Sequence, residues 1–223
     1  MLIVGIDEAG RGPIAGPVVV GAFVFLNEKA KRIFRGVKES KQLSEKRREE
    51  WFGIIEQAKD DGYIDFHASF QGQKVIDKKG ISYAIRKALE QTLDGLSIHW
   101  KNNSGSNMDS DLNSNSRANI NLSNIRVLLD GGLNAPACYT NQKTIIKGDE
   151  KKSIIALASI CAKVARDRYM NRFAKKFPKY RFEKHKGYGT KRHYAAIKKY
   201  GFLSLHRRSF VTNMRLWDNK NRY

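Results

Sequence analysis

The stretch LIVGIDEAGRGPIAGPVVVGAFVFL (residues 2–26) decides how the chain is organised. Two apolar, β-branched runs flank a turn rich in Gly and Pro, which predicts two strands paired as in a hairpin. Asp7 and Glu8 follow the first run directly and lead into the turn Gly10-Arg11-Gly12. Acids at a strand end are often only surface charge, but this arrangement could also hold a metal and a phosphate. On this stretch alone, both interpretations stay open.

Strand and helix patterns alternate along the rest of the chain. The predicted strands cover 2–6, 17–26, 63–70, 125–130 and 143–148, and the predicted helices cover 45–59, 73–93, 153–176 and 190–200. Ser44 is a candidate N-cap and Gly201 a candidate stop. In the third strand, Ile64, Phe66, Ala68 and Phe70 are expected on one face. The interleaving predicts an α/β fold, a mixed β-sheet with helices packed on it.

Residues 101–124 interrupt this alternation, because 14 of these 24 residues are Asn or Ser. Such a segment buries too little apolar surface to offset the entropy cost of ordering it. We therefore expect a flexible insertion without a chemical role.

The charge of the chain is strongly asymmetric. The net charge is +20, and residues 163–223 carry 19 Lys or Arg against 3 Asp or Glu. A basic region of this size favours a polyanionic partner, most commonly nucleic acid. An anionic membrane surface is the alternative, but the basic stretch is not one long helix with a wide apolar stripe.

The two cysteines, Cys138 and Cys161, have no metal-site spacing and predict a reducing compartment without a disulfide framework. The first apolar run is too short for a signal peptide, and no window is long enough to span a membrane. We expect a cytoplasmic protein.

Two further acids stand in suggestive places. Asp130 follows the strand ending Val-Leu-Leu and leads into two glycines, while Ser159, Lys163 and Asp167 are spaced to share one helix face. An ordinary strand-end charge and a surface Lys–Asp pair remain about as well supported as a site. Converging carboxylates without His or Cys suit Mg²⁺ or Mn²⁺, and together with the basic region they favour phosphodiester hydrolysis.

Seven blocks occur in the order seen in bacterial-type ribonuclease HII, which this sequence resembles from residue 2 to about residue 210 outside the insertion. The blocks are DEAGRGPIAGPVV (7–19), ESKQLS (39–44), LLDGG (128–132), IKGD (146–149), ASICAKVARDRYM (158–170), KGYGTKRHYAAIKKYG (186–201) and HRRSF (206–210). Each block alone is at most moderately specific, but the ordered set is strongly so.

The resemblance implies a ribonuclease H-like fold and an endonuclease that cleaves the RNA strand of RNA–DNA hybrids. It also implies incision 5′ to single ribonucleotides in duplex DNA, as in ribonucleotide excision repair, leaving 3′-hydroxyl and 5′-phosphate ends. Matched by position, the catalytic and metal-binding carboxylates are Asp7, Glu8, Asp130 and Asp167. The implied substrate-binding residues are Gly10, Arg11, Gly12, Lys41, Ser159, Lys163 and Tyr188.

The related ribonuclease HIII carries an additional N-terminal domain, for which a motif beginning at residue 7 leaves no room, so type HII is favoured. We expect a monomer with a core at 1–175 and a basic helical region at 176–223 packed on it. The histidines His185, His193 and His206 are expected to be structural or to contact phosphate. A non-catalytic nucleic-acid-binding module and a transposase- or resolvase-type nuclease remain the alternatives.

Overall fold

The computed structural model describes residues 1–103 and 122–211. The strands are β1 (Leu2–Ala9), β2 (Val18–Phe25), β3 (Ile64–Gln71), β4 (Ile125–Asp130) and β5 (Gln142–Ile145). The helices are α1 (Glu28–Ile33), α2 (Glu45–Asp60), α3 (Gln73–Lys79), α4 (Ile81–Asn103), α5 (Gly148–Lys151), α6 (Ser153–Lys176), α7 (Phe182–His185) and α8 (Lys191–Tyr200). None of the described helices is long and apolar enough to cross a bilayer.

The five strands form one mixed sheet in the order β3-β2-β1-β4-β5. The short turn after β1 makes β2 antiparallel to it, and β3 is antiparallel to β2. The chain then returns through α4, so that β4 and β5 lie parallel to β1. The predicted α/β class and the antiparallel first pair are confirmed, and β1 occupies the centre of the sheet.

Helices cover both faces of this sheet. Val4 and Ile6 of β1 point to the face covered by α4, where they share a buried cluster with Leu89 and Leu93. The opposite face packs on α2 and α6, with Phe23 of β2 and Ile155 of α6 at its centre. Because both faces are covered, polar groups on the central strands can meet solvent only at their ends.

Two glycines let α6 lie unusually close to the sheet. A Cβ on Gly5 of β1 would collide with the carbonyl oxygen of Ile154, and one on Gly21 of β2 would lie 2.5 Å from the carbonyl oxygen of Ala158. The side chains of α6 that face these strands are correspondingly small, as at Ala158 and Ala162. This close approach sets the position of α6 relative to the end of β1.

Gly21→Ala is expected to lower the free energy of unfolding by about 1–3 kcal/mol, since the added methyl group overpacks a helix–sheet contact made by backbone. Urea unfolding measures the change. Gly53→Ala is the matched control, because nothing lies within 4 Å of a Cβ there and Ala favours the helical interior. Equal stability of the Gly21 variant and the wild-type protein would show that α6 can move away at no cost.

Some predicted boundaries were wrong. The single helix expected over 73–93 is divided into α3 and α4 at Gly80, whose φ of +84° ends the first of them. The strand expected over 143–148 ends at Ile145, and Gly148 already begins α5. The predicted cap and stop are confirmed: the backbone N–H of Arg47 donates to Ser44 Oγ at 3.2 Å, and Gly201 ends α8.

Ile64, Phe66, Ala68 and Phe70 alternate along β3 and lie on one face, as predicted, but burial does not follow this alternation. Ile64 is buried, but Phe70 is exposed, while Asp65, Ser69 and Gln71 are buried on the other face. The physical reason is that α4 covers this second face. Residues on either face of this edge strand can therefore be buried, and burial does not alternate along it.

The predicted insertion lies almost entirely outside the described residues. Its first three residues continue α4 to Asn103, and its last three form a 3₁₀ turn, Leu122–Asn124. The described part of the basic C-terminal region, including α7 and α8, packs against the turn after β1 through a third buried cluster that contains Ile14, Ala15 and Met170.

Candidate active site

The carboxyl ends of β1 and β4 bring two acids together. Ile6 pairs with Leu129 in the parallel ladder, so Asp7 and Asp130 follow at the same edge of the sheet. A third acid, Asp149 in the first turn of α5, joins them, and the carboxylates of Asp7, Asp130 and Asp149 offer oxygens within 4.8 Å of one another. The backbone N–H of Gly148 donates to Asp130 Oδ1 at 2.6 Å, which anchors α5 beside β4.

This group is electrostatically unfavourable without a cation. Burial raises the pKa of Asp7 well above its usual range, the neighbouring carboxylates of Glu8 and Asp130 raise it further, and a hydrogen bond from Ser159 opposes them. Burial also raises the pKa of Glu8, although Arg11, 2.8 Å from Glu8 Oε1, opposes the shift. Buried carboxylate oxygens that repel one another are the ligand set that a hard divalent cation stabilises.

Asp167 is not part of this group. Its Oδ1 accepts a hydrogen bond from Lys163 Nζ at 2.7 Å, and its Oδ2 lies 3.5 Å from a guanidinium nitrogen of Arg48. Ser159 is the member of this helix face that contacts Asp7. Eight residues further along an α-helix means about 12 Å along its axis, so a shared face does not bring Asp167 to the same place. Of the four predicted carboxylates, the structure thus groups Asp7 and Asp130 with Asp149, while Glu8 and Asp167 lie outside this group.

The segment ESKQ (residues 39–42), which precedes α2, contacts the acids. Lys41 Nζ donates to Asp149 Oδ2 at 3.0 Å, and this hydrogen bond raises the pKa of the lysine. Ser40 Oγ and Ser159 Oγ lie 2.7 Å apart. Lys41 and Ser159 therefore lie beside the carboxylates, whereas Lys163, one turn further along α6, pairs with Asp167.

The turn after β1 is held by two buried arginines. Arg207 donates to three carbonyl oxygens of the turn, those of Gly10 at 2.7 Å, Arg11 at 3.0 Å and Gly16 at 2.9 Å. Arg166 of α6 donates to the carbonyl oxygens of Pro17 at 3.0 Å and Ala15 at 3.2 Å.

Glycine is required in this turn at one position and leaves open space at another. Gly10 has a φ of +92°, and a Cβ there would collide with the Arg166 side chain. Nothing lies within 4 Å of a Cβ at Gly12. The outer side of the turn is thus open to a ligand.

Tyr188 lies beside this turn. The guanidinium of Arg166 is 5.9 Å from the centre of its ring, and the side chain is 46% exposed. Next to it, the carbonyl oxygen of Gly187 accepts hydrogen bonds from the backbone of Ile14 at 2.9 Å and Ala15 at 3.2 Å. The structure therefore places Gly10, Arg11, Gly12 and Tyr188 at the turn after β1, and Lys41 and Ser159 beside the carboxylates, whereas Lys163 pairs with Asp167.

Sequence reasoning missed three residues of this site. Asp149 had a usable signal. It follows Ile145, Ile146 and Gly148 closely, much as Asp130 follows the apolar residues of β4. Arg166 and Arg207 had a weaker one: each is a cation among residues that pack inward, and both are buried. Nothing in their spacing indicates that they meet at the turn after β1.

Comparison with known proteins agrees with this architecture. The family described as Ribonuclease HII matches residues 4–213. The ribonuclease HII of Caldicellulosiruptor bescii is 41% identical over 213 residues, which cover 95% of this chain and 87% of that protein. The crystal structure of ribonuclease H2 from Pyrococcus horikoshii OT3 superposes with a TM-score of 0.66 at 25% identity, covering 100% of both chains.

A more distant structure shares the fold alone. Bst-RNase HIII, solved in complex with Mn²⁺, superposes with a TM-score of 0.66 at 15% identity, covering 100% of this chain and 71% of that one. The predicted ribonuclease H-like fold is thereby confirmed. With a match that leaves only the first three and the last ten residues outside it, this chain belongs to the ribonuclease HII family and is a ribonuclease H, a metal-binding hydrolase.

Proposed function

We propose that this protein cleaves the RNA strand of RNA–DNA hybrids and incises duplex DNA 5′ to a single ribonucleotide, leaving 3′-hydroxyl and 5′-phosphate ends. The observation that carries the proposal is the group of three carboxylates within 4.8 Å, next to a glycine turn whose outer side is open. We further propose that it acts as a cytoplasmic monomer, with residues 176–223 as a basic region that supports the duplex.

Asp7, Glu8, Asp130 and Asp149 would hold Mg²⁺ or Mn²⁺. Their oxygens are hard ligands, and burial together with neighbouring carboxylates raises the pKa of Asp7, a cost of ionisation that a bound divalent cation would offset. When bound by these residues, such ions would supply Lewis acidity for water activation and for stabilising the leaving oxygen. The Mn²⁺ bound by the HIII relative supports a metal-dependent reaction but does not decide between Mg²⁺ and Mn²⁺.

The chain's own residues would position the substrate. Lys41 and Lys163, which now pair with Asp149 and Asp167, can pair with phosphate instead. The backbone of Gly10-Arg11-Gly12 and the phenol of Tyr188 would contact the ribose. A 2′-hydroxyl both donates and accepts, and it distinguishes RNA from DNA at one position. An aromatic ring with a polar tip suits a sugar with an adjacent hydroxyl.

The deciding experiment uses duplex DNA with one ribonucleotide, incubated with the protein and Mg²⁺ or Mn²⁺. We expect one nick 5′ to the ribonucleotide, no nick with EDTA, and none in an all-DNA duplex of the same sequence. Mapping the ends by gel electrophoresis checks the position and the chemistry.

Other outcomes favour the other functions. Tight binding without a nick in either metal would indicate a nucleic-acid-binding module. Cleavage of branched all-DNA junctions would favour a transposase- or resolvase-type nuclease. Cleavage of long hybrids alone would support the proposed hydrolase but contradict the proposed incision at single ribonucleotides.

A further inference from the structure

Three histidines from three segments meet beneath Tyr188. His185 ends α7, His193 lies in α8, and His206 follows in the chain after α8; all three are buried. The rings of His185 and His193 are stacked with centres 4.3 Å apart, and the Nε2 atoms of His193 and His206 lie 3.1 Å apart. The prediction that these residues are structural or contact phosphate did not anticipate that they touch.

Their hydrogen bonds assign one protonation state to each ring. His206 Nδ1 lies 2.8 Å from the backbone nitrogen of Leu203 and 3.2 Å from its carbonyl oxygen. Because His193 Nδ1 faces a carbonyl oxygen and needs its proton there, the Nε2 of a neutral His193 accepts from His206 Nε2, and His206 Nδ1 accepts from the Leu203 N–H. His193 then carries its proton on Nδ1, which donates to the carbonyl oxygen of Tyr188 at 2.9 Å. The bonds form a relay of neutral rings, named here the histidine relay, that runs from Leu203 through His206 and His193 to Tyr188.

His185 supports the same loop from its other side. Its backbone carbonyl accepts from the N–H of Tyr188 at 2.8 Å, and its Nδ1 accepts from the N–H of Gly187 at 3.3 Å. Its Nε2 therefore carries the proton and donates to the carbonyl oxygen of Tyr180 at 2.8 Å. Both backbone groups of Tyr188 are thus held, while its side chain projects outward.

We propose that His193 and His206 are positioning residues for Tyr188, which hold its backbone so that the phenol ring lies beside the Gly10–Gly12 turn. The inference rests on the proposed role of Tyr188 in reading the ribose. Among the described residues, the side chains of the relay do not contact the carboxylate group and reach the site through Tyr188, while the backbone of His206 also pairs with Ala15 of the turn after β1. Loss of the relay is therefore expected to affect selectivity for a single ribonucleotide more than cleavage of a continuous hybrid.

The surroundings keep the relay neutral. The groups around it are the rings of Tyr180, Phe182 and Phe202, with Glu183 and Lys186 near His185 and the backbone of Arg207 next to His206. Burial lowers the pKa of all three histidines, that of His193 to about 3, and repulsion from neighbouring histidines adds to this for His193 and His206. We expect the selectivity of the wild-type protein to be unchanged between about pH 6 and pH 8.

The test compares His193→Leu with His193→Asn. Leu removes the donor to Tyr188, whereas the amide nitrogen of Asn can take the place of Nδ1 and donate the same hydrogen bond. Ile197→Ala in α8 is the matched control, since it removes buried side-chain volume one turn from His193 but no hydrogen bond to Tyr188. Each variant is assayed for kcat and KM on a single-ribonucleotide duplex and on a continuous RNA–DNA hybrid.

We expect His193→Leu to lower the ratio of single-ribonucleotide to hybrid cleavage about fivefold to tenfold, the effect of losing one hydrogen bond. His193→Asn should stay within about twofold of wild type, and Ile197→Ala should lose stability without changing the ratio. In a Tyr188→Ala background, His193→Leu should have no further effect, because the two act through one group. An unchanged ratio in a folded His193→Leu protein, or an equal loss in Ile197→Ala, would overturn the proposal.

Amide hydrogen exchange at 187–190 provides a readout that needs no activity. Exchange should accelerate in His193→Leu and not in His193→Asn or Ile197→Ala; equal protection in all of them would overturn the proposal. If wild type cleaves neither substrate, the proposed function fails while exchange still decides on the relay. If His193→Leu does not fold, His206→Asn replaces it, since its side-chain oxygen can accept from Leu203 while the donor to His193 is lost.

Discussion

Asp7→Asn is expected to lower cleavage at least on the order of 1,000-fold and, in EDTA, to raise the free energy of unfolding. The loss of activity follows because the amide removes a negative charge from the centre of the carboxylate group, and a metal site of this kind contributes several kcal/mol to transition-state stabilisation. The gain in stability follows because an ionised Asp7 is buried beside Glu8 and Asp130.

The stability difference between Asp7→Asn and the wild-type protein depends on pH in a defined direction. The pKa of Asp7 is raised in the folded protein, so the folded state binds its proton more tightly than the unfolded state does. The associated stability is present below the unfolded pKa of about 4 and is lost as the pH rises through the folded value. The stability difference in favour of Asp7→Asn should therefore grow from pH 4 towards neutrality and shrink when Mg²⁺ is added.

Urea unfolding at several pH values, with EDTA or Mg²⁺, measures this difference, and the hybrid cleavage assay measures activity. Asp60→Asn is the control, since Asp60 is exposed at the end of α2. Wild-type activity in Asp7→Asn would remove this residue from the site. Loss of stability in EDTA would show that its hydrogen bonds outweigh the repulsion.

Asp149→Asn and Asp167→Asn are expected to have clearly different effects. Asp149 shares the 4.8 Å group with Asp7 and Asp130, so its replacement should weaken Mn²⁺ binding and lower cleavage by about 100-fold or more. Asp167 pairs with Lys163 and Arg48, so its replacement leaves two partly buried cations without their counter-charge. It should cost stability, about 3 kcal/mol, while Mn²⁺ affinity stays close to wild type.

Isothermal titration with Mn²⁺ and urea unfolding separate the two roles. The sequence resemblance implied Asp167 as the fourth ligand, whereas we propose Asp149, because its carboxylate lies with those of Asp7 and Asp130. Loss of Mn²⁺ binding in Asp167→Asn together with retention in Asp149→Asn would restore the first assignment. Equal loss in both would indicate that Lys163 and Asp167 organise the group from a distance.

The sequence predicted those parts of the fold that depend on local pattern. The apolar runs of β1, β2 and β4 and the long helix α6 follow from composition and period, and so does the position of Asp130 at a strand end. The strand predicted for 2–6 instead continues to Ala9, so Asp7 lies inside β1 and follows only the part of β1 that pairs with β4. The division at Gly80 was missed because the helical period continues across it, and only the positive φ reveals the break.

The parts that could not be predicted depend on tertiary distance. Helical spacing correctly placed Ser159 and Asp167 on one face, but period carries no information about which turn of α6 meets β1. That choice is made by Gly5 and Gly21, where the sheet admits the helix backbone. The encounter of His185, His193 and His206 likewise depends on how three short segments fold over one another.

The hydrogen bonds that Arg207 donates to the turn after β1 have a consequence for the direction in which the peptide groups of that turn point. In a trans peptide unit, the C=O of one residue and the N–H of the next point in opposite directions. Since the carbonyls of Gly10 and Arg11 point inward to Arg207, the N–H groups of Arg11 and Gly12 point outward. The buried guanidinium of Arg207 thus orients these peptide dipoles. The two adjacent N–H groups of Arg11 and Gly12 lie on the open side of the turn, where one oxygen can accept from both.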